Sequence, residues 1–171
     1  MPVAIVTDST AHLPEGFAER HSVRVVPLRV LVDGRAVQDG VDIGPAELAD
    51  AFAHGRTITT SRANPDEFIP VYQRLLESGA EGVVSIHLSR ELSGTWESAR
   101  LAASQVSAER VRVVDSRTTV MGLGFAVLRA AAVAASGAPG DEVEEAAVAA
   151  AAGTRTYFML ETQRSDRKSV V

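Results

Sequence analysis

Hydroxyls and carboxylates gather at a few short stretches of this chain, and any chemistry has to be sought there. Ser93, Gly94 and Thr95 stand between an apolar run, "GVVSIHLS" (82–89), and a helical pattern, "GTWESARLAASQV" (94–106). Thr59, Thr60, Ser61 and Arg62 place three hydroxyls and a guanidinium ahead of a second helical pattern. Asp8-Ser9-Thr10 and Asp115-Ser116 each close an apolar run. A helix N-terminus carries unpaired N–H groups and about half a positive charge, so a serine–glycine pair there suits a carboxylate or a phosphate. Two such segments could grip one anion from two sides. Serine is also a preferred N-cap, so spacing alone leaves Ser93 open between a cap and a ligand group.

Other chemistries find less support. Ser93, His87 and Asp115 are the residue types of a serine hydrolase triad, but no G-x-S-x-G elbow accompanies them. His12, His21 and His54 lack ligand spacing with carboxylates, so no metal is expected, and acidic residues such as Asp8, Asp39 and Asp42 read as ordinary strand-end groups. Gly122 and Gly124 lack the third glycine of a dinucleotide fingerprint, and there is no phosphate-loop lysine. The absence of cysteine excludes disulfides, thiolate metal sites and cysteine nucleophiles. A net charge of −5 with no basic patch argues against a nucleic-acid partner.

The elements that must hold these groups follow from periodicity. With 46% hydrophobic and 23% charged residues, 171 residues suffice for a globular domain with a core. Strands are expected over 3–7, on both sides of Asp33-Gly34 within 23–40, over 82–89, over 111–116 and over 156–160. Asp-Gly is a strong hairpin signal because both turn residues need positive φ. Helices are expected over 13–21 (weak and short), 44–55, 65–80, 94–106, 119–136 and 141–153. Pro45 and Gly55 bracket one, and Asn64, Pro65, Asp66 and Glu67 open another as N-cap and first turn. The segment 59–62 is expected as a loop. Strands alternating with helices predict an α/β fold, a mostly parallel sheet with helices on both faces. Ligands in such folds bind beyond the carboxyl ends of the strands, where the polar segments fall. The opening residues lack a charged n-region and a long h-region, and the apolar stretch 118–135 is broken by Thr118, Thr119, Gly122, Gly124 and Arg129. No signal peptide and no stable membrane insertion are expected, so a cytoplasmic location is the default.

Five segments in series then point further. "VAIVTDSTAHLP", "VVPLRVLVDGRAVQDGVDI", "TTSRANP", "LSRELSGTWESARLA" and "VRVVDSRTTVMGLG" resemble, in order and spacing, the DegV family of bacterial fatty-acid-binding proteins. The resemblance covers residues 3–162. It implies a two-domain α/β protein that buries a long-chain fatty acid between its domains. It also implies a non-catalytic acyl-binding subunit, with no cofactor, that presents the carboxylate to a separate ATP-binding fatty acid kinase subunit. The family's T-S-Q-P-S-P loop matches Thr60 to Pro65, and its L-S-G-T-Y segment matches Leu92 to Trp96. Thr60 and Ser93 therefore correspond to its carboxylate-binding residues. Ser61, Arg62, Gly94, Thr95, Asp8, Ser9, Asp115 and Ser116 fall on the neighbouring loops. Arg62 stands where the family usually has Gln, and Ala63 replaces its usual Pro. The rival readings from the residues themselves are the hydrolase of Ser93, His87 and Asp115, and a small-anion binder using the same helix ends.

The resemblance also sets an expected domain plan. Residues 1–155 form the lipid-binding amino-terminal domain, and 156–171 are the truncated start of a second domain that is otherwise missing and would bring a carboxylate-binding histidine. The tail from about Ser165 is expected to be an assembly artefact. "DRKSVV" followed by a stop is one frame of a common sequencing adapter, and the only lysine of the chain, Lys168, falls within it.

Overall fold

A computed structural model describes residues 3–157. The strands are β1 (Val3–Asp8), β2 (Arg24–Val26), β3 (Arg29–Val32), β4 (Arg35–Gln38), β5 (Ile58–Ser61), β6 (Gly82–His87) and β7 (Val111–Asp115). The helices are α1 (Phe17–Arg20), α2 (Pro45–Ala53), α3 (Pro65–Glu77), α4 (Thr95–Val106), α5 (Met121–Ala135) and α6 (Gly140–Ala152), and a 3-10 turn spans Ser9–Ala11. The α/β expectation holds. β2, β1, β6 and β7 form a parallel sheet in that order. Helices α3 and α4 pack together on one side of it and α5 and α6 on the other. All six residues of β1 are buried, as a strand covered on both faces requires.

Two features depart from the sequence reading. Residues 59–61, expected within a loop, lie in β5, an edge strand of a three-stranded antiparallel sheet ordered β4-β3-β5. Thr59 and Thr60 are β-branched and pair with Leu31 and Val30, so the run of hydroxyls that reads as polar loop is also a strand-forming run. The β3–β4 hairpin turns at Asp33 (φ 50) and Gly34 (φ 82), as expected from Asp-Gly. The second departure is at 156–160. Thr156 and Tyr157 are not in a strand, and the rest of that expected strand lies outside the described residues, as does the tail from Ser165.

Helix starts explain much of the local order. Pro65 opens α3 and Asn64 is its N-cap residue, but the capping hydrogen bond comes from Glu67, whose Oε2 accepts the Asn64 N–H at 2.6 Å. Glu47 does the same for Gly44 ahead of α2. These are the return halves of capping boxes, with the acidic group held at the positive end of the dipole.

Parallel strands bring the carboxyl ends of β1, β6 and β7 to one edge. Helix α5 is drawn close to that edge by Gly124, where a Cβ would lie 2.6 Å from the Ala11 carbonyl oxygen and 3.1 Å from Met121 Sδ. Gly153 differs. It ends α6 at φ −76, and a Cβ there would meet nothing nearer than 3.5 Å. Urea unfolding should therefore separate the two. Gly124→Ala destabilises by about 1–3 kcal/mol through overpacking against backbone, and Gly153→Ala stabilises by about 0.5 kcal/mol through the unfolded chain. Equal midpoints for both variants would contradict this packing.

Candidate functional site at the carboxyl edge of the sheet

The strongest chemistry at this edge is a buried relay. His87 closes β6, and its Nδ1 lies 2.9 Å from Asp8 Oδ2 at the end of β1, with both side chains fully buried. Its Nε2 lies 2.7 Å from Ser85 Oγ, which is 2.8 Å from the Tyr72 hydroxyl. One proton arrangement uses every donor: Tyr72 donates to Ser85, Ser85 donates to His87 Nε2, and His87 Nδ1–H donates to Asp8. Asp8 also accepts the Leu88 N–H at 3.1 Å, the Thr10 N–H at 3.1 Å and the Thr10 hydroxyl. Burial pushes the Asp8 carboxyl up, but His87, Thr10 and the Leu88 N–H outweigh it and hold its pKa below the ordinary value. Burial pushes the Tyr72 phenol up, against the pull of Ser85.

This relay disposes of the Ser93–His87–Asp115 triad. Both nitrogens of His87 are engaged, by Asp8 and Ser85, and Ser93 is elsewhere. Asp115 closes β7 and accepts the N–H groups of Arg90 (3.3 Å) and Arg117 (2.9 Å), with Arg90 Nε at 3.6 Å. It fastens two loops together. Ser116 accepts the Thr118 N–H and donates to the Thr118 carbonyl. Ser9 accepts the Leu28 N–H at 3.1 Å. Asp8, Ser9, Asp115 and Ser116 thus act inward, as builders of the edge.

Ser93 is placed differently. The chain leaves β6, and Ser89 folds it back: the Ser89 N–H donates to the Thr118 carbonyl, and the Ser89 carbonyl accepts from Leu92 and Ser93. Helix α4 then starts with Gly94 as its N-cap residue, so Ser93 precedes the cap position instead of filling it. Its Oγ accepts the Thr95 N–H at 3.3 Å and lies 2.9 Å from Thr95 Oγ1, which is buried. Ser93 still satisfies one orphan donor of the helix, and the residue is half-buried.

Thr60, Ser61 and Arg62 end β5 and lead into α3, all exposed. Register puts Thr60 on the same face as Val30 and Ile58, and Thr59 and Ser61 on the other. Ser61 Oγ donates only weakly, to the Arg62 carbonyl at 3.4 Å. The two expected anion-gripping segments meet through Arg62, whose Nη1 stands 2.7 Å from where a Cβ on Gly94 would be. Among the described residues no hydrogen bond joins Thr60 to Ser93. Trp96 follows on α4, with the Arg90 and Arg100 guanidinium carbons 5.6 and 5.7 Å from its ring centroid. No group of acidic, His or Cys side chains among the described residues is arranged to hold a metal, and no described helix is long and apolar enough to cross a membrane.

Sequence reasoning missed the relay. Asp8 and His87 lie far apart in the chain, and only the β1–β6 pairing makes them neighbours. The available signal was a histidine and a serine two residues apart on a buried strand, hence on one face.

Fold and site together define a class: a parallel α/β domain whose carboxyl edge offers hydroxyls and a guanidinium at the start of a helix. The family model described as "Uncharacterised protein, DegV family" matches residues 2–165, and the chain belongs to that family. A DegV domain-containing protein of Streptomyces coelicolor is 49% identical over 160 residues, covering 94% of this chain and 57% of that protein. One from Mycobacterium bovis is 43% identical over 168 residues, covering 97% and 57%. Among solved structures, a fatty-acid-binding DegV family protein from Thermus thermophilus superposes with a TM-score of 0.82 at 38% identity, over 89% of this chain and 54% of that one. DegV of Bacillus subtilis, described as a fatty acid binding protein, gives 0.76 at 30% identity, over 85% and 52%. The chain spans about half the length of the relatives it matches.

The relay carries a pH test. A carboxyl held below its unfolded value of about 3.8 stabilises the fold above that pH, and the contribution is lost as pH falls through the folded value. Asp8→Asn should lower stability at pH 7 by about 2 kcal/mol or more. It should also flatten the fall in stability below pH 4. Urea midpoints at pH 7 and below pH 4 check both. A variant as acid-sensitive as the wild type would show that the buried partners of Asp8 do not hold its carboxyl below the ordinary value.

Proposed function

We propose that this chain forms the head-group half of a long-chain fatty acid site. Ser93 and Thr60 bind the carboxylate by hydrogen bonds to their hydroxyls, at the start of α4 and the end of β5. The whole protein is a cytoplasmic acyl-binding subunit without catalysis of its own. It presents the carboxylate to a separate ATP-binding kinase subunit, which forms the acyl phosphate. The observation that carries the reading is Arg62 laid across Gly94, which brings the Thr60 segment against the Ser93 segment at the N-terminus of α4. Relatives of the same fold described as fatty-acid-binding support the class of ligand. Exposed Leu92 lies next to Ser93 and, with Tyr157, gives apolar side chains to a groove otherwise lined by threonines and by Arg117 and Arg155. The domain plan, 1–155 as one lipid-binding domain followed by the start of a second, belongs to the same proposal.

The mechanism needs little from the protein beyond placement. A carboxylate accepting a hydroxyl and helix N–H groups is held by charge-assisted hydrogen bonds, and the acyl chain contributes by leaving water. Fatty acid titration of Ser93→Ala and Thr60→Val variants tests the site. Each loses roughly ten- to a hundredfold in affinity, the equivalent of about 1.5–3 kcal/mol for a hydrogen bond to a charged group. Unchanged affinity in both would remove these residues from the head-group site. Tighter binding of a small phosphate than of any fatty acid would instead favour the small-anion reading.

A second prediction concerns length. Each methylene fully buried contributes about 0.8 kcal/mol, and a clamp of two domains cannot close with one. The 171-residue chain therefore binds palmitate more weakly than a full-length relative, with Thr60 and Ser93 both in place. Equal affinity in a side-by-side titration would contradict the two-domain clamp.

A further inference from the structure

We infer that Arg62 makes the head-group position of this chain selective for an ionised carboxylate over neutral head groups of the same shape. The inference rests on the fatty-acid reading above. It begins with Gly94, whose backbone angles of φ −74 and ψ 12 suit any residue. Conformation does not require glycine there, but space does. Arg62 Nη1 and Cδ stand 2.7 and 2.8 Å from the point a Cβ would occupy, so the guanidinium stem lies flat on the glycine. Gly94 is the floor on which Arg62 rests.

The charge so placed has no partner among the described residues. Six ion pairs are formed there and Arg62 is in none of them, nor does its side chain donate a hydrogen bond. Arg29, Arg56, Arg90 and Arg112 all pair with carboxylates. Arg62 instead lies against the first turn of α4, the positive end of that helix dipole. Two like charges brought together repel, and the repulsion is offset when an anion binds beside both of them. Ser93 is one residue from Gly94, and its hydroxyl is held at the same helix start by Thr95. Glu97, one turn along α4, is an acidic group on the same helix, and its Oε2 is buried with no hydrogen-bond partner. It does not approach Arg62 within ion-pair distance. A neutral alcohol would use the hydroxyls but leave Arg62 unpaired, whereas a carboxylate satisfies all of them.

Trp96 is the only tryptophan and sits on that first turn, so its fluorescence reads the site directly. The 171-residue chain is titrated with decanoate and with decanol. The wild type prefers decanoate. Arg62→Gln, which keeps a hydrogen-bonding end on a shorter stem and removes the charge, weakens decanoate by about tenfold and leaves decanol within about twofold. Arg62→Lys retains part of the preference. Gly94→Ala displaces the guanidinium and reproduces the loss with Arg62 present. If Arg62→Gln binds decanoate as well as the wild type does, the inference fails and the fatty-acid reading stands. If the wild type binds decanol as tightly as decanoate, the head-group position has no charge preference and the inference fails while the fatty-acid reading stands. If Arg62→Gln weakens both ligands equally, Arg62 is a packing residue and the inference is wrong.

Discussion

The hydrogen bond between Asp8 and His87 is the constraint on which this edge of the molecule depends. It joins the ends of β1 and β6 inside a fully buried pocket, at the point where both strands give way to loops. Burying a carboxylate is costly unless its lone pairs are filled, and Asp8 fills them with His87, Thr10 and the Leu88 N–H. Through Thr10 the pair shapes the turn after β1, and through Leu88 it fixes the first residue of the loop that carries Ser93. Tyr72 and Ser85 extend the chain of donors into the α3 side of the sheet. The same geometry explains why His87 serves no nucleophile: each ring nitrogen already has a partner.

Asp115 performs a similar service one strand over, gathering the N–H groups of Arg90 and Arg117. Ser89 completes the frame by bonding across to the Thr118 carbonyl. With the loops after β6 and β7 tied in this way, the first turn of α4 is a fixed platform. Gly94 carries no side chain there, because Arg62 arrives from the end of β5 to lie over it. Glu67 supports that arrival twice, closing the start of α3 through Asn64 and pairing with Arg29 of β3 at 2.8 Å.

Much of this was legible in the residues. Apolar runs separated by helical periods implied the parallel sheet, Asp33-Gly34 implied the hairpin, and polar residues at strand ends located the functional edge. What escaped was whatever depends on strands meeting. The hydroxyl run 59–61 looked like a loop because polarity was weighed above β-branching, and only pairing with β3 reveals a strand. Asp8 and Ser116 read only as polar strand-end groups beside the site, because a strand-end carboxylate or serine has no sequence mark for an inward partner. Spacing left Ser93 open between a cap and a ligand group, and it sits one residue before the cap position, which the Gly94 backbone takes. Arg62 appeared among the site residues on adjacency alone, and its contact with Gly94 follows from tertiary structure.

A structure of this protein with bound palmitate tests the central claim most directly. The account expects one carboxylate oxygen within about 3 Å of Ser93 Oγ, with the Arg62 guanidinium beside it and the acyl chain leaving across Leu92. A carboxylate bound away from the start of α4, with Ser93 still engaged only by Thr95, would contradict it.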